Sequence, residues 1–578
     1  MKKITILIFI SFCIACNYSN KENTYDFETN FEKTNGIETA TYQDVISFYK
    51  ALANTYSEIK IESVGNTDSG KPLHIVWYSA SGNFNQTNKN TILINNGIHP
   101  GESDGIDATM MLLRDLANGV IPAPENTIIA AIPIYNIGGS LNRNTSTRTN
   151  QNGPKEYGFR GNARNYDLNR DFIKCDTKNA KTFVDIFHKI QPELFIDNHV
   201  SNGADYQYTL AHLFTQHNKL NGPLGDYLHK KLIPELENSL HEKKIIITPY
   251  VNVWGTTPET GWSQFMDYPR YSTGYTSLFN TLGMMVETHM LKPYKDRVEQ
   301  TYELMESMIR ITDNKVTEIK KLKTKQKKHF LDNKEYAIDW AIDSSQTTTL
   351  NFKGYKGAYI NSKVTDQKRL FYDKSKPYTK EITYYNYVKP KKTITTPLAY
   401  IIPQQWHKVI ELLKLNQVSL QQIKNDTIIE VNSYRINTYE TRKTPYEGHY
   451  QHYNTQIDSA IKKTGFRKGD FIAKLTSENI RYLIETLEPE APDSFFNWNF
   501  FDTILQQKEH FSSYVFEDKA LEILNNNPSL KSEFERKKES DSTFLRDGHL
   551  QLDWIHKRSE HYETSHLQYP IYRIMNTL

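Results

Sequence analysis

A short apolar run, a break and an amphipathic stretch follow one another between Thr91 and Leu116, and that order constrains the fold more than any other feature. Thr91-Ile92-Leu93-Ile94 reads as a buried strand, and Asn95-Asn96-Gly97 ends it. Ile106, Met110, Leu113 and Leu116 recur near one face and predict a helix over Ile106–Leu116. His99-Pro100-Gly101-Glu102 then occupies a loop at the carboxyl end of a strand, where open α/β sheets bind ligands. His199 follows from a distant segment. Two histidines and one carboxylate make a catalytic zinc site when one coordination position stays open for water. An HxxE tetrapeptide is common by chance, so its setting between strand and helix carries the inference.

Strand and helix signals alternate from Thr41 to Ile311. Strands are predicted at Ile75–Ser79, Thr91–Ile94, Thr127–Tyr135, Glu193–Asp197, Ile245–Tyr250 and Met284–Thr288. Helices are predicted at Ile106–Leu116, Ala180–Ile190, Leu224–Leu240 and Asp296–Leu322. This alternation predicts an α/β domain over residues 41–312, with a mixed, mainly parallel central sheet flanked by helices. With 578 residues the chain exceeds one ordinary core, so a second, smaller α+β domain is expected over residues 331–578. Residues 313–330, with lysines from Lys320 to Lys328, read as a basic helix end and linker; contact with an anionic surface is the alternative.

The N-terminus reads as a targeting segment. Lys2-Lys3 precedes the apolar stretch Ile4–Ala15, which is too short for a stable membrane-spanning helix. Cys13-Ile14-Ala15-Cys16 resembles a bacterial lipoprotein signal in which Cys16 would carry lipid, although Cys13 stands where Leu is usual. Cleavage by an ordinary signal peptidase is the alternative. The expected division is a signal over residues 1–15 and a tether over 16–40, giving an exported protein attached to a membrane only through its N-terminal lipid. Removal of the signal leaves Cys175 with at most Cys16, so no disulfide framework forms. The 70 basic and 67 acidic residues nearly cancel, which disfavours nucleic acid as a partner.

Arg160-Gly161-Asn162-Ala163-Arg164-Asn165-Tyr166-Asp167-Leu168-Asn169-Arg170 concentrates arginine and asparagine with little apolar patterning. Guanidinium and amide groups in this density suit a carboxylate ligand. Glu287 stands inside the otherwise apolar strand Gly283–Thr288, and a buried carboxylate without a partner is costly, so a partner or a job is expected for it. HxxE, the R-x-N…D-L-N-R segment, a histidine after a strand and then a glutamate occur here in the order found in zinc carboxypeptidases of the carboxypeptidase A type. Over residues 40 to 312 the chain resembles that family.

The resemblance implies roles, residue by residue. His99, Glu102 and His199 would hold one Zn2+, and Asp167 would orient a ligand histidine. Asn169 and Arg170 would bind the free C-terminal carboxylate of a peptide substrate, while Arg160 would stabilise the developing oxyanion. Glu287 would be the general base that takes a proton from water and returns it to the leaving amine. The family's substrate-capping tyrosine lies well upstream of its catalytic glutamate, so by spacing before Glu287 it corresponds best to Tyr268, then to Tyr271, with Tyr275 too close. Two other readings stay open: a zinc amidohydrolase that deacylates N-acyl amino acids, and a catalytically inactive peptide-binding lipoprotein.

Overall fold

A computed structural model describes residues 25–576. The expected signal segment and Cys16 lie outside the described residues. The sheet that positions the site has eight strands: β1 (Ile59–Asn66), β2 (Pro72–Tyr78), β3 (Asn90–Asn95), β4 (Thr127–Ile132), β5 (Leu194–Ser201), β6 (Leu210–Phe214), β7 (Ile247–Pro249) and, after the short β8 (Trp262–Ser263) of another sheet, β9 (Leu282–His289). Their order is β1-β2-β4-β3-β5-β9-β6-β7. The centre, β4-β3-β5-β9, is parallel, whereas β1, β2 and β6 enter antiparallel. The mixed, mainly parallel α/β sheet expected from the sequence is therefore present, and the C-terminal region adds further sheets.

The central strands are buried on both faces, which explains their continuous apolar runs. Helix Asp104–Ala117 buries Ile106, Met110, Leu113 and Leu116, as their spacing requires. Two strands escaped the sequence pattern. β1 is an exposed edge whose residues alternate, and β6 is five residues long and fully buried. The helix expected over Leu224–Leu240 includes a π-helical turn at Leu228–Leu232 just before Pro234, and the long helix expected from Asp296 breaks at Lys315.

Two expected boundaries are corrected. From residue 25 on, the stretch read as a tether belongs to the fold. Thr29 and Glu32 form a reciprocal cap on helix Asn30–Lys33, Phe31 is buried, and Glu32 pairs with Arg114 at 2.6 Å. Residues 313–330 are helical apart from Lys315, as a helix end would be, but they are packed instead of linking: helix Val316–Asp332 buries Ile319, Gln326 and Phe330. No described helix is long and apolar enough to cross a membrane.

The C-terminal region shares the main core instead of sitting apart. Phe279 stacks on Tyr482 with ring centroids 5.7 Å apart, and the Tyr275 hydroxyl donates to Asn416 Oδ1 at 2.7 Å. Buried Arg481 donates to the carbonyls of Ser277 and Lys219. A long hairpin, Thr348–Asn361 with Lys368–Tyr385, pairs its second strand with β8. Helices between Ser513 and His556 close around a small separate core that includes Phe516, Phe534 and Trp554.

Candidate active site

Three carboxyl ends of adjacent parallel strands converge. His99 and Glu102 follow β3, His199 lies on β5, and Glu287 lies on β9 in register with His199. One ligand atom from each of His99, Glu102 and His199 falls within 4.8 Å of the others, the sole such acid–histidine group among the described residues. Glu102 joins the loop to the sheet, since its Oε2 accepts from the Val200 amide at 3.0 Å.

Each histidine is fixed by its outer nitrogen. His99 Nε2 lies 2.9 Å from Asp167 Oδ1, and His199 Nε2 lies 2.8 Å from Asp197 Oδ2. An ionised carboxylate only accepts, so each Nε2 carries a proton, and in the neutral ring each Nδ1 is a bare lone pair. Both Nδ1 atoms face Glu102 Oε2, at 3.2 and 3.3 Å. His99 Nδ1 is buried and has no hydrogen-bond partner. This orphaned lone pair beside a second one and a carboxylate fits a zinc ion with two histidines and one glutamate. The electrostatics point the same way. Burial disfavours a charged His199, yet Asp197, Glu102 and Glu287 hold its pKa well above the ordinary histidine value, so these acids call for positive charge at this point.

Burial likewise opposes ionisation of Glu102 and Asp167. For Glu102, His99, Arg148 and His199 outweigh it; for Asp167, His99, Arg160 and Arg170 do so, and both carboxyls stay well below their usual range. Glu287 differs. Burial pushes it up to about 8, with Glu102 and Asp197 adding to the rise and His199 and Arg160 opposing it. A carboxylate poised this way binds protons readily, as a base near neutral pH must.

The site opens into a cleft of about 520 Å³. Arg160 lines it, 45% exposed, with Nη2 2.9 Å from Asp167 Oδ2 and Nη1 3.5 Å from Glu102 Oε1. Arg170 lies with its guanidinium carbon 4.6 Å from the centre of the Tyr271 ring. Asn169 Oδ1 accepts from the Ser272 amide at 3.1 Å, which leaves the Asn169 NH2 as the available donor. Arg170 and Asn169 thus offer a carboxylate-binding corner. The lining also includes Leu213, Tyr250, Phe265, Tyr271 and Met285, along with Arg148 and the polar Asn150, Asn202 and Asn252.

Of the two tyrosines expected over the substrate, Tyr271 lines this cleft. Tyr268 does not: its hydroxyl donates to Asp339 Oδ1 at 3.0 Å, and its side chain borders a different cavity. Spacing from Glu287 favoured Tyr268, but the turn before helix Ser272–Ser277 sends neighbouring side chains to opposite sides.

Four site residues were missed. Asp197 had a readable signal, because it stands two residues before His199 and so shares its strand face. Arg148 had none: it donates to Glu102 Oε1 at 3.0 Å, occupying space where a Cβ at Gly101 would meet its Cδ at 2.4 Å. Tyr250 and Trp254 lie on the loop after β7. Trp254 is 55% exposed at the cleft mouth, and its loop is held by hydroxyls of Tyr359 and Tyr372 donating to the carbonyls of Gly255 and Thr256. His449 and His452, an HxxH pattern, pair separately with Asp176 and Asp502.

Residues 45–202, which include all three ligand positions, match the family described as zinc carboxypeptidase. This segment belongs to the zinc carboxypeptidase family. The zinc carboxypeptidase domain is by class a metal-dependent hydrolase of peptides. Carboxypeptidase 2 of Trichophyton rubrum is 20% identical over 489 residues, which cover 78% of this chain and 81% of that protein. Solved structures that match include a metallo-carboxypeptidase from Burkholderia cenocepacia at 15% identity, covering 47% of this chain and 69% of that chain with a TM-score of 0.36. Carboxypeptidase A from Helicoverpa armigera matches at 13% identity, covering 48% of this chain and 74% of that chain with a TM-score of 0.35.

Proposed function

We propose that the protein is an exported zinc-dependent carboxypeptidase that removes an uncharged, apolar residue from the free C-terminus of a peptide. The observation that carries this reading is the juxtaposition of the His99–Glu102–His199 cluster, Glu287 and the Arg170–Asn169 corner in one cleft. One Zn2+ held by the cluster would polarise the scissile carbonyl and lower the pKa of water. Glu287 accepts a proton from that water and delivers it to the leaving amine. Arg160, at the cleft wall beside Glu102, stabilises negative charge growing on the carbonyl oxygen. Arg170 and Asn169 hold the terminal carboxylate, and the lining from Leu213 to Met285 receives the side chain.

The deacylase and inactive-binder readings are less well supported, because the cleft combines a proton-accepting glutamate with a chain-end corner. Export and attachment through lipid on Cys16 rest on the N-terminal sequence alone; a lipid-free Cys16 in the mature protein, found by mass spectrometry, would refute the anchor.

The activity test compares peptides ending in Leu or Phe with the same peptides ending in Lys or Asp, each as free acid and as amide. Free acids with apolar ends should be cut best. Arg170→Ala should erase much of the preference for acid over amide, a charge-assisted contact of about 1.5–3 kcal/mol. Equal cleavage of acid and amide by the parent protein would defeat the exopeptidase reading.

A further inference from the structure

The loop between strands Thr427–Thr441 and His452–Phe466 belongs to the C-terminal region, yet it presses on the segment that carries Asp167. Glu447 Oε2 accepts from the Asp167 backbone amide at 2.8 Å. The loop is clamped on both sides of that contact. His449 Nε2 lies 2.6 Å from Asp176 Oδ2, and Tyr446 stacks on Trp498 while Arg442 sits 4.6 Å over its ring. Glu447 itself has φ +49, a left-handed conformation that side chains disfavour, and Gly448 follows at φ +79. A side chain at Gly448 would come within 2.6 Å of the Tyr166 hydroxyl, so close approach to this segment requires the glycine.

Asp167 has several partners to satisfy at once. Its Oδ1 takes His99 Nε2 and the Asn169 amide, each at 2.9 Å, and its Oδ2 takes Arg160. The residues leading to it, 160–167, form neither strand nor helix. Where a carboxylate must be aimed from irregular backbone, something outside that backbone has to fix it. We propose that Glu447 is a positioning residue of the zinc site, holding the Asp167 amide so that the Asp167 carboxylate aims both His99 and Arg160. This inference rests on the zinc reading of the cluster. It gives the C-terminal region a part in the site that the zinc carboxypeptidase match, which ends at residue 202, does not contain.

A merely fastening role would make Glu447 and His449 equivalent, since both attach the same loop to the same segment. The test therefore measures zinc affinity of the full chain by competition with a chromophoric chelator, alongside thermal stability and kcat/KM. Loss of a residue that touches a metal ligand directly, as Asp167 touches His99, costs about 10–100-fold, so one step further out Glu447→Ala should cost about five- to tenfold in zinc affinity. Glu447→Gln keeps an acceptor oxygen and should stay within about twofold of the parent, since the contact it must replace is one hydrogen bond to an amide. His449→Ala should lower stability while leaving zinc affinity near the parent value. If Glu447→Ala fails to fold, Glu447→Asp, which withdraws the acceptor by one methylene, should show the same weakening. Parent-like zinc affinity in the Ala or Asp variant, or an equal loss in His449→Ala, overturns the inference. A parent protein that binds no zinc overturns it together with the proposed function. A parent that binds zinc but cuts no peptide defeats the proposed function alone.

Discussion

His99 and His199 are oriented by the same chemistry, an aspartate on Nε2, but from two different kinds of support. Asp197 lies on β5 itself, on the face it shares with His199, and is fully buried. Asn95 donates to its Oδ1 at 2.9 Å and the Ser272 hydroxyl donates to its Oδ2. Asp167 comes from a loop, caps the short turn Leu168–Arg170, and borders Arg160, whose side chain is 45% exposed. Strand register aims the first pair, with Asn95 and Ser272 holding the carboxylate. The second needs contributions from Arg160, Asn169 and Glu447. A sheet supplies orientation through its own hydrogen bonds, whereas a loop must borrow it from neighbours.

The sharpest way to probe the strand-borne half is Glu287→Gln. It keeps the shape and removes the proton acceptor, so turnover should fall by at least ~10²-fold. Zinc content by elemental analysis should match the parent. Loss of zinc in that variant would mean that Glu287 helps to hold the metal, and the division of labour along β5 and β9 would fail.

A direct comparison of the two supports comes next. Asp197→Asn and Asp167→Asn should each weaken zinc binding by about 10–100-fold in chelator competition. Their stabilities should part company. Asp197→Asn places a donor among buried donors and should cost about 1–3 kcal/mol in denaturation, whereas Asp167→Asn should cost much less. Equal stability losses would break the contrast between strand and loop.

The smallest effect concerns pH. Burial opposes ionisation of Asp176, but His449 and Lys174 outweigh it and hold its carboxyl below the ordinary carboxylate range. A carboxyl lowered on folding stabilises the protein above its unfolded pKa of about 3.9, and that contribution fades as pH falls through the lowered value. His449→Ala should therefore lower stability at neutral pH and flatten its dependence on pH below about pH 4, where parent and variant converge. A parent-like acid limb in that variant would show that the clamp on the 442–451 loop does not depend on this pair.

The parts of the site that could be read in the sequence are those that local pattern controls. The apolar run before His99 fixed a strand end, and the period of two along β5 carried His199 to the same side as its neighbour on β9. Asp167, Asn169 and Arg170 sit in one short segment, so their proximity was given by the chain itself. Spacing before Glu287 put Tyr268 ahead of Tyr271, but which of them faces the cleft depends on the turn before helix Ser272–Ser277. Arg148 and Glu447 reach Glu102 and Asp167 across 46 and 280 residues, and nothing local to either marks that contact. For the same reason the boundary near residue 313 looked like a linker: Lys321, Lys325 and Lys328 are exposed, while Ile319, Gln326 and Phe330 are buried and Lys323 docks on the carbonyls of Gln191 and Pro192.

The stacking of Phe279 on Tyr482, and the hydroxyl of Tyr275 on Asn416, has a meaning for how such a protein can change over generations. Every metal ligand lies before residue 312, so the front half looks like a module that recombination could graft onto another partner. It is not one. A front half carried away alone would bare Phe279 and Tyr275 to water, and a foreign rear half would have to supply a matching ring and amide. Exchange of either half therefore carries the cost of replacing these contacts, a cost that substitution at the cleft does not incur.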